Sequence, residues 1–314
     1  MLAAVNLTRL VPRHRPRADL HPTAAGAPDA PLRLRWLGTA GHVVETPGAT
    51  VLLDPFLSRP SLGHTATRRL RPTPDDWWAW LPPRVDAIAC GHSHYDHLLD
   101  APLIARRTGA KLLGSRTTCS FARAHGVPEA QLVEIPPTGG AARVGDVTIR
   151  FVPSLHGRIA AGRVPFPGAV EAPPELPARV WHYKMGGAFG VLLETPGGRV
   201  YHNGSADLVD AELEAHDADV LLVGLAGRQA TPDYLARMTR LLGPRLLVPT
   251  HHDLFFAPLE DGLRLLPGVD LGGFVAEAAR LAPDARVVSP GYDDVLAIPA
   301  GDPRDARFHT WAGA

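Results

Sequence analysis

The chain has 314 residues, of which 45% are hydrophobic, enough for a sizeable core. Its 32 basic and 32 acidic residues cancel, which argues against a nucleic-acid partner, since that would ask for a basic stripe. Two cysteines, Cys90 and Cys119, make no disulfide framework and suit a cytoplasmic protein. No run of about twenty apolar residues is present, so no transmembrane helix is predicted.

Met1 to Val11 is mildly apolar and is followed by Arg13, Arg15 and Arg17. A signal peptide places its charges before the apolar stretch, the reverse of this order. Pro12 to Pro31 is rich in Pro, Ala, Arg and His, and residues 1–31 read as a mobile tail. A single domain is expected over 32–300, with 301–314 as a C-terminal tail. Leu32 to Leu37, His42 to Glu45 and Val51 to Asp54 read as strands, with Thr46-Pro47-Gly48 as a turn. Ser58 to Pro83 reads as a loop-rich excursion. Its Trp77, Trp78 and Trp80 either wall an apolar pocket or pack onto the body.

Val85 to Cys90 is an apolar run that reads as a buried strand, with Gly91 allowing a sharp turn at its end. His92-Ser93-His94-Tyr95-Asp96-His97 follows at once. Imidazole and carboxylate are the ligand types that hold zinc and similar divalent ions. On a turn, His92 and His94 can converge on one point while Asp96 and His97 aim at a second. That is the arrangement of a two-metal hydrolytic centre. Upstream, Asp54 closes a strand. It either accepts a hydrogen bond from the free ring nitrogen of a ligand histidine or simply forms an Asp-Pro turn.

Helices are predicted over Ala101 to Thr108 and from a Ser115 cap through Ala124, with strands at Lys111 to Gly114, Leu132 to Ile135 and Ala142 to Val152. Strand–helix alternation of this kind implies an α/β architecture. Gly157 to Gly187 is irregular and follows His156, so it borders the site. Within it Phe166, Trp181, Tyr183 and Lys184 are candidates for substrate contact. A hairpin is expected at Gly190 to Glu194 and Arg199 to His202, and a buried strand at Asp219 to Gly224. Thr231 to Leu242 reads as a helix with a Thr-Pro start. Arg245 to Thr250 is another strand, and it stops at His251-His252-Asp253. Gly272 to Leu281 is a late helix, and the end of the chain reads as loop.

His-x-His-x-Asp-His resembles the metal-binding motif of the metallo-β-lactamase superfamily. Leu34 to Gly41 and Val51 to Leu57 look like the opening of one of its branches. That branch holds ascorbate-phosphate lactonases and phospholipase D-like enzymes acting on N-acyl phosphatidylethanolamines. Phe151 to Gly157 and Pro249-Thr250-His251 are similar to the branch's later metal motifs. The resemblance implies a four-layer αββα sandwich, of the α/β (α+β) class, with the site on loops at one edge of two sheets. It implies one metal on His92, His94 and His156, and a second on Asp96, His97 and His251. Zinc is the first expectation, with Mn2+ or Fe2+ as alternatives.

The family's Gly-Asp step, which supplies a metal-bridging aspartate, is altered here. Gly204 is followed by Ser205. Asp207 either takes over as ligand or caps a helix around Leu208 to Ala215. Alternatively, Ser205 only hydrogen-bonds a metal-bound water. His252 and Asp253 are expected on the substrate side or behind the ligands. The implied activity is hydrolysis by a hydroxide shared between the metals, with Asp96 orienting the nucleophile and moving a proton. An ester, a lactone or a phosphodiester is the bond at issue, in a small-molecule or lipid-like substrate. The alternative is a metal-binding or ligand-sensing protein of the same fold with little turnover. Homo-oligomerisation is left open.

Overall fold

The computed structural model describes residues 11–24, 29–159 and 162–311. Strands β1 (Leu32–Trp36), β2 (His42–Glu45) and β3 (Thr50–Leu53) form an antiparallel meander. A two-residue strand, β4 (Arg69–Leu70), lies on the excursion that follows. β5 (Ala87–Ala89), β6 (Lys111–Gly114) and β7 (Leu132–Glu134) then extend the sheet in parallel from β3. A hairpin of β8 (Gly140–Val144) and β9 (Val147–Ser154) opens the second sheet. β10 (Ala178–Arg179) pairs with β4 outside both sheets. The second sheet continues through β11 (Ala188–Thr195), β12 (Gly198–Asn203), β13 (Val220–Gly224), β14 (Leu246–Thr250) and β15 (Arg286–Val287). The chain returns to the first sheet as β16 (Asp294–Ile298) and β17 (Arg307–Thr310), with β16 beside β1.

Side-chain alternation along these strands builds the layers. Val51 and Leu53 point into a core shared by both sheets, while Leu52 points to the opposite face. Val220 and Leu222 of β13 enter the same central core from the other side, and Leu221 and Val223 face outward. Apolar residues on both faces are why these strands read as continuous apolar runs. The outer face of the first sheet is covered by helices Ala101–Thr108 and Arg116–Ala124. Tyr234–Leu242 and Leu271–Leu281 cover the second sheet. The result is the expected αββα sandwich. No described helix is long and apolar enough to cross a membrane.

Local capping follows the sequence in part. Ser115 Oγ accepts from Thr118 N at 3.3 Å and starts the Arg116–Ala124 helix. Thr231 does not cap. Its hydroxyl donates to the Ala206 carbonyl at 2.9 Å, and the helix begins at Tyr234.

Both terminal expectations are corrected. Met1 to Leu10 lies outside the described residues, but the described part of 1–31 is fastened to the body. Leu20 is buried, and its carbonyl accepts from Ser289 N at 2.8 Å. The described part of 301–314 is not simply a tail, because β17 pairs with β16 and buries Ala306 and Phe308. The apolar Asp294-Val295-Leu296-Ala297-Ile298 run is a strand that the reading of the chain's end as loop overlooked. Phe308→Ala should therefore cost about 3–5 kcal/mol of unfolding free energy in denaturant titration. A dispensable tail would lose nothing.

Asp100 fastens the Ser58 excursion to the first sheet's helices. Its carboxylate accepts from Leu57 N at 2.7 Å and Ser58 N at 2.8 Å. Burial outweighs these bonds and pushes its carboxyl up to about 6. A raised acid contributes stability that is present below its ordinary value and lost as pH rises through the folded one. Between about pH 4 and pH 7, wild type should lose on the order of 2 kcal/mol relative to Asp100→Asn. Parallel stability curves for the two proteins would contradict this.

Candidate metal centre

The site lies where strands of both sheets end at one edge. β3 ends at Asp54, β5 at Gly91-His92, β9 runs out to His156, β12 to Gly204, and β14 to His251. Loops at strand ends are where a rigid scaffold displays reactive groups. Non-glycine residues with positive φ gather here: Thr39 at 51°, Asp54 at 39°, Phe166 at 38°, Ala206 at 56° and His251 at 52°. Such backbone persists only where surrounding contacts over-determine it. His251 is held this way by its N–H, which donates to the Thr39 carbonyl at 2.7 Å.

Two trios of ligand-type side chains form. His92, His94 and His156 offer ring nitrogens, and Asp96, His97 and His251 offer a carboxylate oxygen and ring nitrogens. Within each trio the donor atoms lie within 4.8 Å of one another. The trios adjoin, since the His92 and His97 rings are 3.8 Å apart between centroids. Asp96 Oδ2 sits 3.7 Å from His97 Nε2 and 3.4 Å from His251 Nε2.

The donor chemistry fits a pair of divalent ions. His94 Nε2 donates to the Pro165 carbonyl at 2.8 Å, which leaves the Nδ1 lone pair free for the centre. His156 Nδ1 donates to the Gly157 carbonyl at 2.7 Å, which frees Nε2 in the same way. His92 Nε2 is buried with no protein partner, an arrangement that costs free energy unless something accepts its lone pair. Burial keeps the His92 ring neutral and lowers His94 to about 3. Neutral imidazole is the ligating form. Burial alone would raise the Asp96 carboxyl, but His97 and His251 hold it well below the usual carboxylate range.

Asp54 is the hub behind these ligands. Its Oδ2 lies 3.0 Å from both His97 Nδ1 and His202 Nε2, and its Oδ1 accepts from Gly91 N at 2.7 Å. It takes the histidine-orienting place rather than serving only as an Asp-Pro turn. A Cβ on Gly204 would meet Asp54 Oδ2 at 2.9 Å, and one on Gly91 would meet the Phe189 carbonyl at 3.0 Å. Both glycines let backbone approach where a side chain would block it. His202 was not anticipated. A lone histidine in a strand carries no signal until its strand is placed beside Asp54.

Several expected contributors lie elsewhere. Asp207 is in neither trio: its Oδ1 accepts from Leu208 N at 2.8 Å. Ser205 borders the cavity, but its hydroxyl donates to the Leu155 carbonyl at 2.9 Å. His252 is buried against Trp36, ring centroids 4.5 Å apart, and does not line the cavity. Asp253 is buried too. It accepts from Thr39 N and Tyr292 Oη, both at 2.8 Å, and pairs with Arg59. These two residues hold the loop behind His251. Tyr183 is buried, stacks on Phe121 at 4.5 Å and does not line the cavity. Lys184, Trp181, Trp78 and Trp80 do not line the cavity. Trp80 instead donates to Glu260 Oε1 at 2.7 Å. The side chain of Trp77 lies outside the described residues. The apolar wall is formed by Phe166, which was anticipated, and by Phe255, Phe256 and Leu266.

A four-layer sandwich with a histidine-rich centre at the shared sheet edge defines a metallo-hydrolase fold. A beta-lactamase superfamily domain model matches residues 49–252. A UPF0173 metal-dependent hydrolase of Pyrobaculum arsenaticum is 31% identical over 229 residues, covering 71% of this chain and 85% of that protein. One from Methanopyrus kandleri is 30% identical over 268 residues, covering 82% and 96%. Among solved structures, the metallo hydrolase Igni18 of Ignicoccus hospitalis aligns with a TM-score of 0.51 at 21% identity, covering 89% of this chain and 99% of that one. An isothiocyanate hydrolase from Delia radicum gut bacteria gives a TM-score of 0.54 at 15% identity, covering 84% and 98%. At those identities the two structures speak to the fold alone. The chain belongs to the beta-lactamase superfamily, in its UPF0173 group of metal-dependent hydrolases.

Replacing Asp54 by Asn keeps the volume but removes the charge that orients His97. Metal affinity should fall by about 10–100-fold in competition with a chromophoric chelator, with the fold retained by circular dichroism. Unchanged affinity would show that His97 is held without Asp54.

Proposed function

We propose that this hydrolase uses two divalent ions, zinc foremost, to cleave a carboxylic ester or lactone in a small molecule. The observation that carries the reading is the pair of adjoining trios, which borders one cavity of about 340 Å³. His92, His94 and His156 would hold one ion, and Asp96, His97 and His251 the other. When bound, the ions supply a water that loses its proton at a pKa of about 7 and positive charge beside the reacting carbonyl. The chain's own groups do the rest. Pro165 and Gly157 fix the tautomers of His94 and His156. Asp96 lines the cavity and is positioned to take a proton from the attacking water and return it to the leaving alkoxide. Water adds to the acyl carbon, the C–O bond breaks, and acid and alcohol leave. The two cysteines are free and buried, which favours a reducing cytoplasm as its compartment.

A ligand-binding protein with little turnover is the second reading. It draws on Ser205, whose hydroxyl is engaged by Leu155. The test is metal-dependent hydrolysis of an ester and lactone panel. Dialysis against chelator should abolish turnover, and added zinc or manganese should restore it. His94→Ala should lower kcat/KM by at least about 100-fold with an unchanged thermal melt. Full activity in His94→Ala would end the hydrolytic reading. Metal binding without turnover on any substrate would favour the second.

A further inference from the structure

The cavity lining has two chemically distinct parts. Its charged lining groups all belong to the two trios, and among the described residues no Lys or Arg lines it. Of the two hydroxyls on the lining, that of Ser205 is already used, donating to the Leu155 carbonyl. Beside the trios the lining is aromatic. Phe166 stands against His94 with ring centroids 6.3 Å apart, and Phe255 against His251 at 5.3 Å. Phe256 packs on Phe255 at 4.5 Å. One aromatic ring therefore flanks each trio. All three phenylalanines are half-buried, and they are backed by the core between the first sheet and its helices. Their exposed faces border the cavity, on a wall fixed by packing.

We propose that the non-reacting part of the substrate is a compact, uncharged, apolar group seated between Phe166 and the Phe255–Phe256 pair. This rests on the hydrolytic reading of the same site and names what that site selects. An apolar group gains by leaving water for this wall. A carboxylate or phosphate pressed against these rings would lose its hydration with no charged or donor side chain among the three phenylalanines to replace it. At about 340 Å³ the cavity is at the low end of small-molecule sites, which is why the group must be compact. Phe166, Phe255 and Phe256 are thus specificity residues.

The test varies only the remote group. On the metal-loaded enzyme, p-nitrophenyl acetate, butyrate and hexanoate are compared with the p-nitrophenyl monoester of adipic acid, a six-carbon chain ending in carboxylate. Selectivity in kcat/KM should rise by up to about fourfold per added methylene. The terminal carboxylate should cost at least about 100-fold relative to hexanoate. Phe255→Ala should reduce the gain per methylene to less than about twofold. A parallel calorimetric titration uses hexanamide and 6-hydroxyhexanamide on the same protein, and it does not depend on turnover. Tighter binding of hexanamide supports the pocket even if no ester is cleaved, in which case the hydrolytic reading fails alone. Equal or tighter binding of the hydroxyl compound, or no binding of either amide, overturns the proposal. So does a flat chain-length series in an enzyme that does cleave the acetate ester.

Discussion

A single buried carboxylate, that of Asp54, organises this protein's working edge. It sits at the end of a central strand of the first sheet, in left-handed backbone, with no exposure to solvent. Burying a charge is costly unless it is paired and hydrogen-bonded. Asp54 meets that condition with three partners from separate parts of the chain. Gly91 N fixes the turn that launches the histidine motif, His97 belongs to one of the two trios, and His202 arrives from the second sheet. Burial is the largest influence on its carboxyl, yet the two histidines reverse it and keep the group ionised. The sheets are thus joined at the site by one charge as well as by the shared apolar core.

Around that hub the backbone is held in conformations it would not choose alone. His251 and Thr39 both have positive φ, and they are linked through a backbone hydrogen bond. Behind them Asp253 gathers Thr39, Arg59 and Tyr292 into one buried cluster. Arg59 and Tyr292 lie far apart along the chain, and only the closed sandwich brings them together. Folding energy spent on the two sheets is in this sense what places ligands within reach of one another.

The readability of the sequence tracked how local each interaction is. His92 to His97 could be recognised because its donors fall within six consecutive residues after a buried strand. His156 and His251 were legible because each follows an apolar run that stops abruptly. His202, Arg59 and Tyr292 were not, because their partners are remote in sequence and nothing local marks them. Aromatic content was a partial guide for a related reason. Phe166, Trp181 and Tyr183 stood out alike, and Trp78 and Trp80 either walled a pocket or packed on the body, but composition cannot say which way a ring points. Of these only Phe166 lines the cavity, and the rest of the aromatic wall is Phe255–Phe256, only a few residues past His251. At the chain's end, β16 is an ordinary apolar run, and its place beside β1 comes from a pairing across most of the sequence.

If the two trios hold two ions although Ser205 follows Gly204, elemental analysis of protein purified without added metal will show it. Two equivalents of divalent metal per chain are expected, falling to about one in His251→Ala, since that change dismantles only one trio. One equivalent or less in the wild-type chain would contradict it, and would mean that three ligands from Asp96, His97 and His251 do not retain an ion.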